Sequence, residues 1–127
     1  MTPGKLVRSL VDALACGKLA GNEERWFSRG VIQVELPNRF DQKGSTRDFE
    51  EIQAFNRRLE RDCISRRFEL TTLIESGGQA VAEIVFQLTF EDGALGALDG
   101  LRGNLALFSW LDHGRIVRQH LYLSFAR

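Results

Sequence analysis

Proline is scarce in this chain: Pro3 and Pro37 are its only two among 127 residues, so no Pro-rich linker divides it. Cysteine is as scarce. Cys16 and Cys63 are the only two, and the opening residues do not read as a signal peptide. A disulfide framework is therefore not expected, and the expected compartment is a reducing cytoplasm. An excess of charge of either sign is also lacking, because 17 Lys and Arg balance 17 Asp and Glu. That excludes a nucleic-acid binder working by bulk charge, and it excludes an acidic tail protein. No apolar run approaches the ~18 residues that a membrane helix needs. Repeats at a period of ~20–50 residues are missing, as are the P-loop, the dinucleotide glycine fingerprint and the nucleophile elbow. The two histidines, His113 and His120, do not stand at zinc-ligand spacing from the cysteines, so neither a metal site nor a cofactor is expected.

What remains is an ordinary globular composition, 43% hydrophobic and 27% charged, at a length that suits one domain over 1–127. Residues 5–16 carry Leu6, Val7, Leu10, Val11 and Leu14 on one helical stripe, and Gly17 suits the stop. A second short helix is expected over 19–27, with Trp26 and Phe27 as its heaviest apolar residues. Val31–Leu36 reads as a strand ended by Pro37 and Asn38, and 41–44 as a turn. Ser45 with Asp48 fits a helix start signal. Phe49, Ile52, Phe55 and Leu59 then repeat at helical spacing to about Asp62.

From Arg66 the period changes from 3.6 to 2. Phe68, Leu70, Thr72 and Ile74 share a face, Gly77-Gly78 forms a hairpin turn, and Ala82, Ile84, Phe86, Leu88 and Phe90 alternate cleanly. Glu91, Asp92 and Gly93 open a turn-rich stretch with four glycines up to Gly103. Strands follow at 105–111 and 115–125 around a turn at Asp112-His113-Gly114. Helices followed by a run of strands imply an α+β fold, a curved antiparallel sheet with the N-terminal helices packed in its concave face, and an apolar concavity between them.

Three motifs carry a family resemblance over nearly the whole chain. Val-Arg-Ser-Leu-Val-Asp-Ala-Leu-Ala-Cys-Gly-Lys-Leu at 7–19 is similar to an opening helix with its glycine turn, although Lys18 replaces the usual acidic residue. Val-Glu-Leu-Pro at 34–37, with Lys43-Gly44 and the helix Phe49–Leu59, is similar to the strand, turn and third helix. Asp112-His113-Gly114-Arg115-Ile116-Val117 is similar to the last hairpin. In this order they resemble the nuclear transport factor 2-like superfamily, also called SnoaL-like or ketosteroid-isomerase-like. The resemblance implies a cone-shaped α+β barrel, a hydrophobic pocket and a homodimer. It also implies isomerase, cyclase or dehydratase-like chemistry on a hydrophobic metabolite. The family's four proton-transfer positions align with Leu36, Leu10, Ala106 and Leu121, which supply neither a base nor a donor for an enolate.

The pocket is expected to collect Leu10, Trp26, Phe27, Leu36, Phe55, Phe86, Leu88, Ala106, Phe108, Gln119 and Leu121, with Gln119 as a polar anchor. The same residues could simply fill a core. Glu35 and Asp41 flank the strand that carries the family's base, and either becomes a candidate base if the strand register slips by one, which exchanges the faces. His120 titrates near neutrality and is a third candidate, but parity turns it to the outer face, where it would sit in an interface. Glu69 and Glu83 fall on polar faces. The arginines at 57, 58, 61, 66 and 67 alternate with Glu60 and Asp62, so they read as a solvated helix end. Two functions stand side by side. One is a small hydrophobic ligand bound and transformed in the pocket. The other is a noncatalytic ligand-binding or dimerisation module that pairs through the outer sheet face (Gln87, Thr89, His120, Tyr122, Ser124), with no nucleic acid and no membrane as partner.

Overall fold

The computed structural model describes residues 1–90 and 100–126; of the turn-rich stretch expected from Glu91 to Gly103, residues 91–99 lie outside them, and 100–103 instead form the start of a strand. Helix α1 (Pro3–Cys16) starts at a Thr2 cap with proline in its first turn. It stops at Gly17, whose φ of 67° is left-handed and suits glycine. Helix α2 (Phe49–Asp62) starts at Asp48. The Asp48 carboxylate accepts from Glu51 N at 2.9 Å, and the Glu51 carboxylate accepts from Asp48 N at 3.1 Å. The capping box is thus Asp48–Glu51, three residues along from the expected Ser45–Asp48 pair, and Ser45 instead begins a strand.

Among the described residues six strands, β1 (Phe27–Glu35), β2 (Ser45–Arg47), β3 (Cys63–Ser76), β4 (Gln79–Phe90), β5 (Gly100–Asp112) and β6 (Arg115–Phe125), form one sheet in the order β2-β1-β6-β5-β4-β3. Every pairing is antiparallel except β1 with β6, which is parallel. Helix α1 packs against β3 and β4, and α2 against β1, β2 and β3, so both cover one face of the sheet. This is the α+β architecture expected from the change of period at Arg66. No helix is long and apolar enough to cross a membrane among the described residues.

Local differences have local causes. The short helix expected over 19–27 shrinks to one 3-10 turn, Glu23–Arg25. Gly21, at φ 85°, breaks it, and Phe27 is recruited into β1 opposite Ile116. In β3 the register shifts between Leu70 and Thr72, so Leu73 turns inward and Ile74 is exposed. β6 carries a comparable irregularity between Ile116 and Arg118. β4 keeps its alternation throughout: Ala82, Ile84, Phe86, Leu88 and Phe90 are buried, and Glu83, Val85, Gln87 and Thr89 are exposed.

Candidate functional site

Between the helices and the sheet lies a cavity of about 530 Å³. Its body is apolar, built from Leu10 and Leu14 of α1, Phe55 and Leu59 of α2, and inward side chains of the sheet such as Phe86, Leu107 and Leu121. One wall is polar. β1 turns Gln33 and Glu35 inward, both buried, while Ile32 lies exposed and Val34 half-buried on the opposite face. Arg47 of β2 lies opposite Gln33 in the ladder.

These groups form one continuous hydrogen-bonded row. Ser109 Oγ accepts from Gln119 Nε2 at 3.1 Å, and Gln119 Oε1 accepts from Gln33 Nε2 at 2.8 Å. Gln33 Oε1 accepts from Arg47 Nη1 at 3.1 Å. Arg47 Nη2 donates to Glu35 Oε1 at 2.7 Å, and the two side chains are only 10% and 9% exposed. Asn38 Nδ2 donates to the other carboxylate oxygen, Oε2, at 2.8 Å. The Arg47 guanidinium also lies over the Phe55 ring, 4.1 Å from its centroid, which fixes its plane. Asp41 lines the cavity too. Its carboxylate accepts from Ser45 Oγ, and its backbone is tied to Asn38 in both directions.

A row of this kind contributes little net stability through its ion pair. Burying an ion pair seldom stabilises a fold relative to apolar packing, because two charges must leave water. Here the charge-assisted bonds instead hold a carboxylate and a guanidinium side by side at the edge of an apolar volume. The carboxylate can take a proton, and the cation beside it can hold developing negative charge.

The residues expected to line the pocket divide into two groups. Leu10, Phe27, Phe55, Phe86, Leu88, Gln119 and Leu121 all face the cavity. Leu36, Trp26, Ala106 and Phe108 do not. β1 places Glu35 inward, so Leu36 is turned away and half-buried, and its N–H donates to Leu121 O at 2.9 Å. Trp26 is buried beside α1, where its Nε1 donates to Ser9 Oγ at 3.2 Å. β5 turns Leu105 and Leu107 inward, which sends Ala106 and Phe108 to the other face, where Phe108 packs edge-on against Tyr122 at 5.3 Å.

Of the candidate bases, Glu35 and Asp41 line the cavity and His120 does not. His120 lies on the outer face against Trp110, and its Nε2 accepts from Arg118 Nε at 2.9 Å. Partial burial, reinforced by the Arg118 charge, lowers its pKa below the ordinary 6.5. The folded chain therefore favours the neutral ring. That small contribution is present above pH 6.5 and fades as pH falls below it. Among the described residues no three His, Cys, Asp or Glu side chains converge on a metal-sized site.

Arg47, Gln33, Asn38 and Asn56 also line the cavity and were not singled out from sequence. A usable signal was there: Gln33-x-Glu35 is polar at period 2 in a strand whose other face is aliphatic.

No family model matches the chain, and no curated protein matches it. Solved structures do. IdmH from Streptomyces antibioticus, a suggested polyketide cyclase, superposes with a TM-score of 0.78 at 14% identity, over 98% of this chain and 93% of its own. An NTF2-like protein of unknown function from Burkholderia pseudomallei gives 0.76 at 20% identity, over 98% and 92%. An LEH-like epoxide hydrolase from M. tuberculosis gives 0.74 at 14%, over 96% and 82%. At such identities the likeness concerns backbone architecture alone.

Proposed function

Because the chain has the nuclear transport factor 2-like fold, with a cavity between helices and sheet, we propose that it binds a hydrophobic small molecule there and moves a proton at its polar wall. Glu35 is the base. Arg47 is the electrostatic partner that holds charge on an oxygen of the bound molecule, and Asn38 and Gln33 hold the pair in place. The expected class is isomerisation, cyclisation or dehydration next to a carbonyl. The carrying observation is the buried Glu35–Arg47 pair on the wall of a cavity otherwise lined largely by carbon. Similarity to a suggested cyclase and to an epoxide hydrolase is in keeping with this reading.

Two probes test it. Anilinonaphthalene sulfonate reports occupancy of the cavity by fluorescence. 5-Nitrobenzisoxazole reports proton abstraction, because loss of its C3 proton to a carboxylate opens the ring to a coloured phenolate. Glu35→Gln keeps the shape and the acceptor for Arg47. It is expected to bind the dye as before and to lose about 100-fold in ring-opening rate, the usual worth of a positioned base. Equal rates for the two proteins would end the catalytic reading. Dye binding with no ring opening by either would leave a noncatalytic binder.

We propose in addition that a second copy docks on the outer sheet face. The parity of β5 brings Phe108, Ala106 and Trp110 to the face that holds Tyr122 and His120, and Val85 is exposed there on β4. That face is more apolar than the polar row expected from sequence, and aromatic residues are favoured at interface centres. Sedimentation of the wild-type chain should give a dimer, and Phe108→Glu a folded monomer. A monomeric wild type, or a variant that stays dimeric, would remove this face from the account.

A further inference from the structure

Glu23 is a carboxylate outside the polar row, and it is 1% exposed. Its two oxygens are both occupied. Oε1 accepts from Gly21 N at 2.9 Å, and Oε2 accepts from Asn56 Nδ2 at 3.0 Å. Asn56 is itself 6% exposed and lines the cavity from α2. A carboxylate only accepts hydrogen bonds, so the amide nitrogen of Asn56 must face Glu23 and its Oδ1 must turn the other way. Among the described residues Oδ1 accepts no hydrogen bond, yet no buried side-chain oxygen or nitrogen is left both enclosed and unpartnered. The oxygen is therefore not fully enclosed, and the open volume that Asn56 lines is the cavity.

We propose that Asn56 is a specificity-determining acceptor in the cavity, and that Glu23 is the positioning residue that fixes its polarity. The inference rests on the cavity reading above and adds a feature of the ligand. Besides the group met by Glu35 and Arg47, the bound molecule carries a hydroxyl or N–H donor that meets Asn56 Oδ1. A carbonyl at that point would face an oxygen and leave it without a partner, which is how buried polar groups reject near-isosteres.

Glu23→Gln tests the device because it should reverse it. Gly21 N–H still needs an acceptor, so the new amide turns its oxygen to Gly21 and its nitrogen to Asn56. Asn56 must then rotate, accept with Oδ1, and present its NH2 to the cavity. The probes are 1-(pyren-1-yl)ethanol and 1-acetylpyrene, a matched alcohol and ketone, each displacing anilinonaphthalene sulfonate. In Glu23→Gln the ratio of alcohol affinity to ketone affinity is expected to fall by about tenfold relative to wild type, the worth of one hydrogen bond exchanged. Asn56→Leu should abolish the wild-type preference, and it serves alone if Glu23→Gln does not fold. A ratio unmoved in either folded variant overturns the proposal while leaving the cavity reading intact. Failure of the dye and both pyrenes to bind wild type would overturn the two together.

Discussion

Arg47→Met is expected to destabilise the protein by about 3–5 kcal/mol, measured as the free energy of urea unfolding, because it strands a buried charge. The guanidinium is the sole cation hydrogen-bonded to Glu35 among the described residues, and it also satisfies Gln33 Oε1. Removing it leaves a carboxylate that is 9% exposed, with Asn38 as its remaining side-chain donor. The contact with Phe55 goes as well. The double variant Glu35→Leu/Arg47→Met removes both charges. It should recover most of the loss, because the penalty belongs to the unpaired ion and not to the missing pair. If the double variant is as unstable as the sum of the two singles, the pair is not coupled and the electrostatic account of the wall fails. The recovered double variant should be inactive toward 5-nitrobenzisoxazole, which separates what the pair does for stability from what it does for chemistry.

Gly103→Ala is the second large effect. A Cβ at this position would overlap the Ser124 carbonyl oxygen and come within 3.0 Å of the Phe125 Cα. Both obstacles are backbone, so no rotamer change relieves them, and β5 and β6 must separate where Gly103 pairs with Phe125. Ordinary overpacking costs about 1–3 kcal/mol, and a backbone obstruction should reach or exceed the top of that range. Thermal unfolding is the measurement. The comparison is Gly30→Ala in β1, where an added Cβ meets nothing within 4 Å and the change should stay within about 1 kcal/mol of wild type. Similar melting temperatures for the two variants would show that β5 and β6 yield more easily than their register implies.

The elements were legible where one physical signal acted alone. The stripe Leu6-Val7-Leu10-Val11 and the alternation Ala82–Phe90 each bury one face and wet the other, and both fold as their periods say. The site was legible only in part, because the polar wall inverts that logic. At the end of β1 the inward residues are Gln33 and Glu35, while aliphatic Ile32, and Leu36 just past the strand, point away, so the rule that apolar residues face inward selects the wrong face there. A slip of one residue was the condition under which Glu35 became a candidate, and the strand adopts that register. In β5 the run Leu105-Ala106-Leu107-Phe108 is apolar on both faces, so periodicity could not decide between them. Arg47 and Asn56 sit on short or helical elements, far in sequence from the groups they serve, and pairing across such distances is a property of the folded chain.

The parallel seam between β1 and β6 also has a bearing on biosynthesis. Gln33 and Gln119, bonded across it, stand 86 positions apart. On the ribosome the first strand emerges long before its neighbour exists, and its hydrogen-bonding edge waits through the translation of β3, β4 and β5. Contacts that close so long a loop are slow to form and leave strand edges open to wrong partners meanwhile. The glutamine clasp is thus among the last pieces to assemble, and a nascent chain halted before β6 would hold Gln33, Glu35, Asn38 and Arg47 but lack the Gln119 that joins their row to Ser109.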